Sequence, residues 1–257
     1  VNIFVADNFY NIFMKKAYLN WSGGKDASMA LWKCQNSGEW EICSLLTTLS
    51  SDYQRVSMHG VREQLLDQQA ASTGIPLVKA FLGASASMEA YNSLMEHHLT
   101  RFKEAGIESA IFGDIFLEDL RLYRETQLSK VGIEGIFPLW KQESQHLMLD
   151  FIKAGFKAVA VCVNAKYLDA SFAGREIDEN WLADLPGGVD PCGENGEFHT
   201  FVYDGPIFKQ PILFKPGKVV ERFYVPTAKD QSNCYDATRD NATNWDTAFY
   251  YKDLLAR

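Results

Sequence analysis

Trp21-Ser22-Gly23-Gly24-Lys25-Asp26-Ala27-Ser28 decides how the rest of the chain is read. Ahead of it, Lys16 to Trp21 is apolar and aromatic enough for a strand; behind it, Ala27 to Cys34 has the composition of a helix. Strand, glycine turn and helix start therefore follow one another directly. Two glycines let a backbone approach a ligand with no Cβ in the way, and the first N–H groups of a helix have no partner within it. A phosphate supplies that partner. Ser22 adds a hydroxyl and Lys25 a point charge, while Asp26 is placed to cap the helix or to reach a magnesium ion. The spacing is neither Gly-x-x-x-x-Gly-Lys-Ser/Thr nor Gly-x-Gly-x-x-Gly. The bland alternative is an ordinary glycine-rich turn.

Working outward, the helix after the loop runs to Ser37 and Gly38 closes it. Strands are predicted at Glu41–Leu49, Ile75–Phe81, Ser109–Asp114, Gly135–Trp140 and Lys157–Val163, with helices between them at Val61–Ser72, Ser87–Ala105, Asp119–Val131 and Glu143–Ala154. This alternation over residues 16–163 predicts a parallel sheet covered on both faces. Loops after the strands of such a sheet face the ligand crevice, which brings in His59 after the second strand and Asp114 at the end of a later one. Past residue 164 the pattern changes to a short helix, Asp178–Leu185, and antiparallel strands at Phe198–Tyr203, Ile207–Phe214 and Lys218–Val225. The expected organisation is an N-terminal extension at 1–13 (or an extra edge strand), a nucleotide-binding domain at 14–163 and a smaller C-terminal α+β substrate domain at 164–257. Its polar tail ends in an apolar cluster, Trp245 to Leu255, that should dock.

Composition narrows the class. The 257 residues are 47% hydrophobic and 23% charged, normal for a globular protein with a sizeable core. A net charge of −8 disfavours nonspecific attraction to nucleic acid and favours a protein or small-molecule substrate. Five cysteines, an odd number with no Cys-x-x-Cys pair, point to reduced thiols in a cytoplasm and away from a zinc ribbon. No run of about 18 apolar residues suggests a membrane span.

Ser22-Gly23-Gly24-Lys25-Asp26 after a first strand resembles the PP-loop of the ATP pyrophosphatases, which cleave ATP between its α- and β-phosphates. The resemblance implies an adenine nucleotide α-hydrolase-like, Rossmann-like fold, with ATP held by Ser22, Gly23, Gly24, Lys25 and Asp26. The family loop continues with Ser where this chain has Ala27, and Ser28 lies about 100° further around the helix, so it does not replace that hydroxyl. Further stretches are similar to the diphthine–ammonia ligases and their bacterial relatives: Phe112-Gly113-Asp114, Arg121-Leu122-Tyr123-Arg124-Glu125, Pro138-Leu139-Trp140, Gly174-Arg175 and, most specifically, Cys192-Gly193-Glu194-Asn195-Gly196-Glu197-Phe198-His199-Thr200-Phe201. The similarity spans about residues 14–215.

That branch implies an ATP-dependent amide synthesis in which a carboxylate is adenylated, pyrophosphate leaves and free ammonia displaces AMP. It implies magnesium at Asp26 or Asp114, Arg175 or Arg121 facing phosphate, and a base or ammonium-binding group among Glu194, Glu197 and His199. Diphthamide-making members read Gly-Glu-Gly-Gly-Glu, an aromatic, Glu and Thr in the last stretch. Asn195 and His199 depart from this, which leaves the acceptor as a carboxylate-bearing protein or small molecule. Simpler readings stand beside these: Glu197 and His199 as a surface pair, Arg121 and Glu125 as an i,i+4 ion pair, His59 as a solvated loop residue, and Cys192 as a structural thiol. Two other functions fit the loop, a tRNA-thiolating enzyme using Cys162 and Cys192, and a nucleotide-binding protein without turnover. Dimerisation suits the fold, though no stretch demands it.

Overall fold

The computed structural model describes residues 14–56, 59–83, 86–224 and 247–257. The expectations for residues 1–13 and for the polar tail up to residue 246 lie outside the described residues, as does Cys234.

The first sheet holds β1 (Lys15–Asn20), β2 (Trp40–Ser50), β3 (Arg55–Val56), β4 (Leu77–Leu82), β5 (Ser109–Ile111) and β6 (Glu134–Ile136). Five strands run parallel in the order β4-β2-β1-β5-β6, and β3 returns antiparallel against Leu49 and Ser50 of β2. Successive residues of β1 serve opposite faces, as a strand requires. Ala17 and Leu19 enter a core with Met29 and Leu31 of α1 (Lys25–Ser37) and Leu65 and Leu66 of α2 (Glu63–Thr73). Tyr18 enters a second core with Leu99 and Phe102 of α3 (Met88–Glu104) and Leu128 of α4 (Glu118–Ser129). The sheet is thus doubly wound, the α/β architecture that its alternating sequence predicts.

The chain leaves β1 toward β2 on one side, while β5 pairs on the other. The carboxyl ends of β1 and β5 therefore flank the switch point where open α/β sheets bind ligands. Gly113, just past β5, makes this junction close: a Cβ there would lie 2.7 Å from the carbonyl carbon of Asp26. Without a side chain, the exit of β5 rests directly on the first turn of α1.

The second sheet is antiparallel, in the order β8-β7-β10-β9, with β7 at Lys157–Asn164, β8 at Phe198–Asp204, β9 at Phe214–Tyr224 and β10 at Thr247–Ala256. Here the structure corrects the sequence reading. β7 does not extend the parallel sheet but lies between β8 and β10, so sheet membership changes between β6 and β7, before residue 164. Its unbroken apolar run marks a strand covered on both faces, and that description suits the centre of either kind of sheet. Of the strand expected at Ile207–Phe214 only Phe214 is extended into a ladder, at the start of β9; residues 207–213 run irregularly, and Pro211 among them has no ladder N–H.

The second sheet packs on the first through α1 and α2, against β8 and β10 respectively, and one continuous core joins Trp21, Ala27 and Leu66 to Cys192, Phe201 and Val202. Asp253 of β10 is gripped by Arg55 at 3.0 Å and Arg62 at 2.7 Å, fastening the last strand to the first sheet. Two further helices, α5 (Ser144–Lys153) and α6 (Glu179–Asp184), belong to this half.

Candidate active site

The loop from Ser22 to Asp26 bends at Gly23, whose φ of +77° is a left-handed conformation that glycine adopts without strain. Its shape is held from below by Gln69, which is fully buried. Gln69 accepts from the Trp21 indole at 3.1 Å and donates to the carbonyls of Gly23 at 3.0 Å and Val202 at 2.6 Å. A Cβ on Gly23 would meet the Gln69 Oε1 at 2.6 Å, a contact that adds to the left-handed φ in confining this position to glycine. β8 grips the loop from the other side. The Lys25 N–H donates to Thr200 Oγ1 at 3.0 Å, and the Val202 N–H donates to the Gly23 carbonyl at 2.9 Å. The phosphate loop of the first sheet is therefore shaped in part by the second.

α1 begins at Lys25, with Gly24 as its N-cap residue. Asp26 is consequently inside the first turn and does not cap, contrary to one sequence expectation. Its carboxylate pairs with the buried Lys25 ammonium at 2.8 Å. Burial alone would lower the pKa of Lys25, but Asp26 beside it, with Glu194 further off, holds it raised and charged. The ammonium also lies 5.4 Å from the Phe198 ring centre. Ser22 Oγ accepts from the Gly24 N–H at 3.3 Å, while the buried Ser28 hydroxyl donates back to the Gly24 carbonyl at 3.0 Å. Ser28 is thus occupied within the helix, as its angular position suggests.

Carboxylates crowd the β5 side of Lys25. Asp114, just beyond β5, is held by Arg124 of α4 at 2.6 Å. Glu194 accepts from the Ile115 N–H at 2.8 Å, and its own N–H donates to Asp190 at 2.9 Å. Burial, then the charge of Asp26, pushes the Glu194 carboxyl up to about 8. Burial also raises Asp26 in spite of Lys25, with Asp190 and Asp114 pushing the same way. Glu197 is buried and committed to its own loop: it accepts from the N–H groups of Asp190 at 3.2 Å and Asn195 at 2.9 Å and from the Asn195 amide at 3.1 Å. It precedes β8 and holds the 190–197 turn in shape, so it is no surface partner of His199.

His199 points instead toward the β2 side, stacked on His59 with ring centres 4.4 Å apart and planes 28° apart. Burial, and after it the Lys25 charge, pushes His59 down to about 4; burial, His59 and Lys25 push His199 well below the usual range. A Cβ on Gly24 would touch His59 Cε1 at 3.2 Å, so this pair borders the loop itself.

Other expected residues lie elsewhere. Arg175 pairs with Asp184 at 2.6 Å and covers the Phe172 and Trp181 rings; Trp181 then meets Phe198, so an aromatic relay stands between Arg175 and Lys25. Its guanidinium is thus engaged within the second half of the chain. Arg121 forms the i,i+4 pair with Glu125 at 2.7 Å and packs against the Phe137 and Trp140 rings, 4.7 and 4.6 Å from their centres. His97, His98 and His146 lie on the surfaces of α3 and α5. Cys192 is buried against the Ser144 carbonyl, and burial raises its thiol. Gln69 and Thr200 were missed as loop supports. Gln69 had left a trace, since it interrupts the buried stripe Leu65, Leu66, Ala70 at helical spacing.

Two family models match this chain: the diphthamide synthase N-terminal domain over residues 14–135 and the diphthamide synthase C-terminal domain over residues 143–226. They part between β6 and α5, the interval in which sheet membership changes. Among curated proteins, a diphthine–ammonia ligase of Danio rerio is 25% identical over 224 residues, covering 77% of this chain and 86% of the relative. That of Homo sapiens is 26% identical, covering 77% and 82%. That of Schizosaccharomyces pombe is 23% identical and covers 78% of this chain, which spans only 36% of that longer relative.

Proposed function

The chain belongs to the diphthamide synthase family, and from that premise we propose that it is an ATP-dependent, AMP-forming ligase that activates a carboxylate and joins it to ammonia. The observation that carries the reading is the composite loop. Gly23 to Lys25 sits at the switch point of the first sheet and is completed by Thr200 and Val202 of the second, with Glu194 bridging to the end of β5. An anion cradle, a buried cation and several carboxylates thereby lie side by side.

In this reading Ser22 to Asp26 takes the β- and γ-phosphates, and Lys25 opposes the charge that gathers as pyrophosphate departs. Ammonia then displaces AMP from the adenylate. Glu194, neutral until about pH 8, titrates in the range suited to exchanging a proton with ammonia. Asp26 and Asp114 fit a magnesium ion chemically, because the carboxylates around Lys25 repel one another's ionisation and a cation relieves that. No group of three metal donors exists among the described residues; a magnesium ion here would take one or two carboxylates together with the phosphates themselves. Such an ion would screen the phosphates and draw charge from the α-phosphate.

The thiolating alternative finds less support. Burial pushes Cys162 up to about 12 and raises Cys192 too, whereas a sulfur carrier needs an accessible thiolate. The four described cysteines are free thiols, suited to a cytoplasm, and no helix among the described residues is long and apolar enough to cross a membrane. The test is product identity. With ATP labelled at the α-phosphate, ammonium chloride and a panel of carboxylic acids beginning with diphthine, acceptor-dependent AMP and pyrophosphate are expected, and Lys25→Ala should lower both about 10³-fold. ADP as the product, or turnover indifferent to Lys25, would refute the reading.

A further inference from the structure

The carboxylate side of the loop has roles in the proposed chemistry; the stacked histidines have none yet. Their position is specific. His59 follows β3, His199 lies on β8, and the two rings meet against Gly24, the N-cap of the phosphate loop's helix. The Nδ1 atom of His59 is buried and makes no well-aligned hydrogen bond among the described residues, although the Thr200 backbone lies against the ring and favours its charged form. A buried polar atom left alone is rare and asks for a ligand.

Charge balance says which ligand. The cations that the sequence offers for phosphate are already matched: Lys25 by Asp26, Arg121 by Glu125 and Arg175 by Asp184, while Arg124 holds Asp114. Asp190 and Glu194 add carboxyl groups on the same side. A polyphosphate arriving here needs positive charge beyond Lys25, and the imidazoles bordering Gly24 can acquire it.

We propose that His59 and His199 form a second phosphate-binding element, one ring of which takes a proton from solvent as the polyphosphate settles on Gly23 to Lys25 and returns it when pyrophosphate leaves. This rests on the phosphate-loop reading of residues 22–26. No bond other than N–H forms or breaks in the step. Protonation makes both ring nitrogens donors, so His59 can offer an N–H to an anionic oxygen whichever nitrogen carries the proton beforehand. The groups facing the pair are Lys25 from α1, the Thr200 carbonyl from β8, and each ring for the other. Before the ligand arrives, desolvation and Lys25 keep both rings neutral; the phosphates reverse the local potential. Two cationic rings 4.4 Å apart would repel, so the uptake stops at one proton.

Calorimetric titration of ATP into the EDTA-treated full chain at pH 6.5, in buffers of different ionisation enthalpy, counts the protons. The nucleotide's own γ-phosphate proton contributes equally to every variant. Wild type should take up close to one more proton than His59→Gln or His199→Gln. Both variants should bind ATP about tenfold more weakly at pH 6.5, with melting curves showing that they remain folded. The extra proton should persist in Glu194→Gln, which removes the other group titrating in this range. Equal uptake in wild type and both histidine variants, or its disappearance in Glu194→Gln alone, would overturn the proposal. Lys25→Ala separates the two readings: ATP binding that needs Lys25 but ignores the histidines removes this inference only, whereas binding indifferent to Lys25 removes the phosphate loop itself.

Discussion

The two flanks of Lys25 are built from opposite chemistry and respond to burial in the same way. On the β5 flank Glu194 is pushed up to about 8, and on the β2 flank His59 is pushed down to about 4. One shift goes up and the other down, yet both favour the neutral form. Desolvation is the first cause on each side, and neighbouring charges only adjust it. A crevice that sheds its charge when alone is one whose ligands bring charge with them: a cation toward the acids, an anion toward the imidazoles. Lys25, kept ionised by Asp26, is the fixed point between them.

Removing that fixed point should have the largest effect. Lys25→Ala is expected to lower AMP formation about 10³-fold, with ATP binding lost in the same variant, measured by turnover and calorimetry. If the flanks were independent sites, the loss would be confined to one substrate. The next largest effect concerns the support beneath both flanks. Gln69→Leu leaves the Trp21 indole and the carbonyls of Gly23 and Val202 without their shared partner. We expect about 3 kcal/mol of destabilisation, roughly 6–12 °C in Tm. A loosened loop should weaken ATP binding and shift the titrations of both flanks together. A variant that melts like wild type would show that Gln69 is a passenger.

Most of the fold was legible because its signals are local. The glycine turn, the closing glycines Gly38 and Gly74 and the alternation of periods all act within a few residues, and the structure places them where the sequence does. β7 was misplaced because an apolar run reports burial and not the identity of its neighbours. The site divides in the same way. Ser22 to Asp26 was readable as a unit, whereas the contact of Lys25 with Thr200 spans 175 positions and leaves no local trace. The surroundings of Arg175 are non-local too: its partners Asp184, Phe172 and Trp181 are assembled by the fold of the second half. His199 was noticed as a departure from a motif, but only the structure shows it meeting His59.

The third prediction measures the acidic flank alone, without magnesium or nucleotide. Glu194 ionises near 4.5 when unfolded and near 8 when folded. Its protonated form therefore stabilises the fold fully below about pH 4.5, and that stability is lost as pH rises through 8. Glu194→Gln has no such loss. The difference in Tm between variant and wild type should move in the variant's favour from pH 5 to pH 8 and then level off. A difference that is flat with pH would mean that water reaches Glu194 and that the acidic flank is not desolvated.

The smallest effect belongs to the other flank and has the opposite sign, which makes it the sharper test of the comparison. His59 ionises near 6.5 when unfolded and near 4 when folded. Its contribution is complete above pH 6.5 and is lost as pH falls through 4, because the unfolded chain then binds a proton that the buried ring refuses. His59→Gln should therefore gain on wild type as pH drops from 6.5 to 4, the reverse of the Glu194 trend, by a smaller margin because the displacement of the pKa is smaller. Pyrophosphate adds a second arm to the same melting experiment. If an anion on the loop favours the charged imidazole, wild type should recover its acid loss when pyrophosphate is present, while His59→Gln should respond to pyrophosphate equally at pH 5 and pH 7 once the ligand's own ionisation is matched. Recovery in both proteins would assign the effect to Lys25 alone and leave the two flanks alike only in being buried.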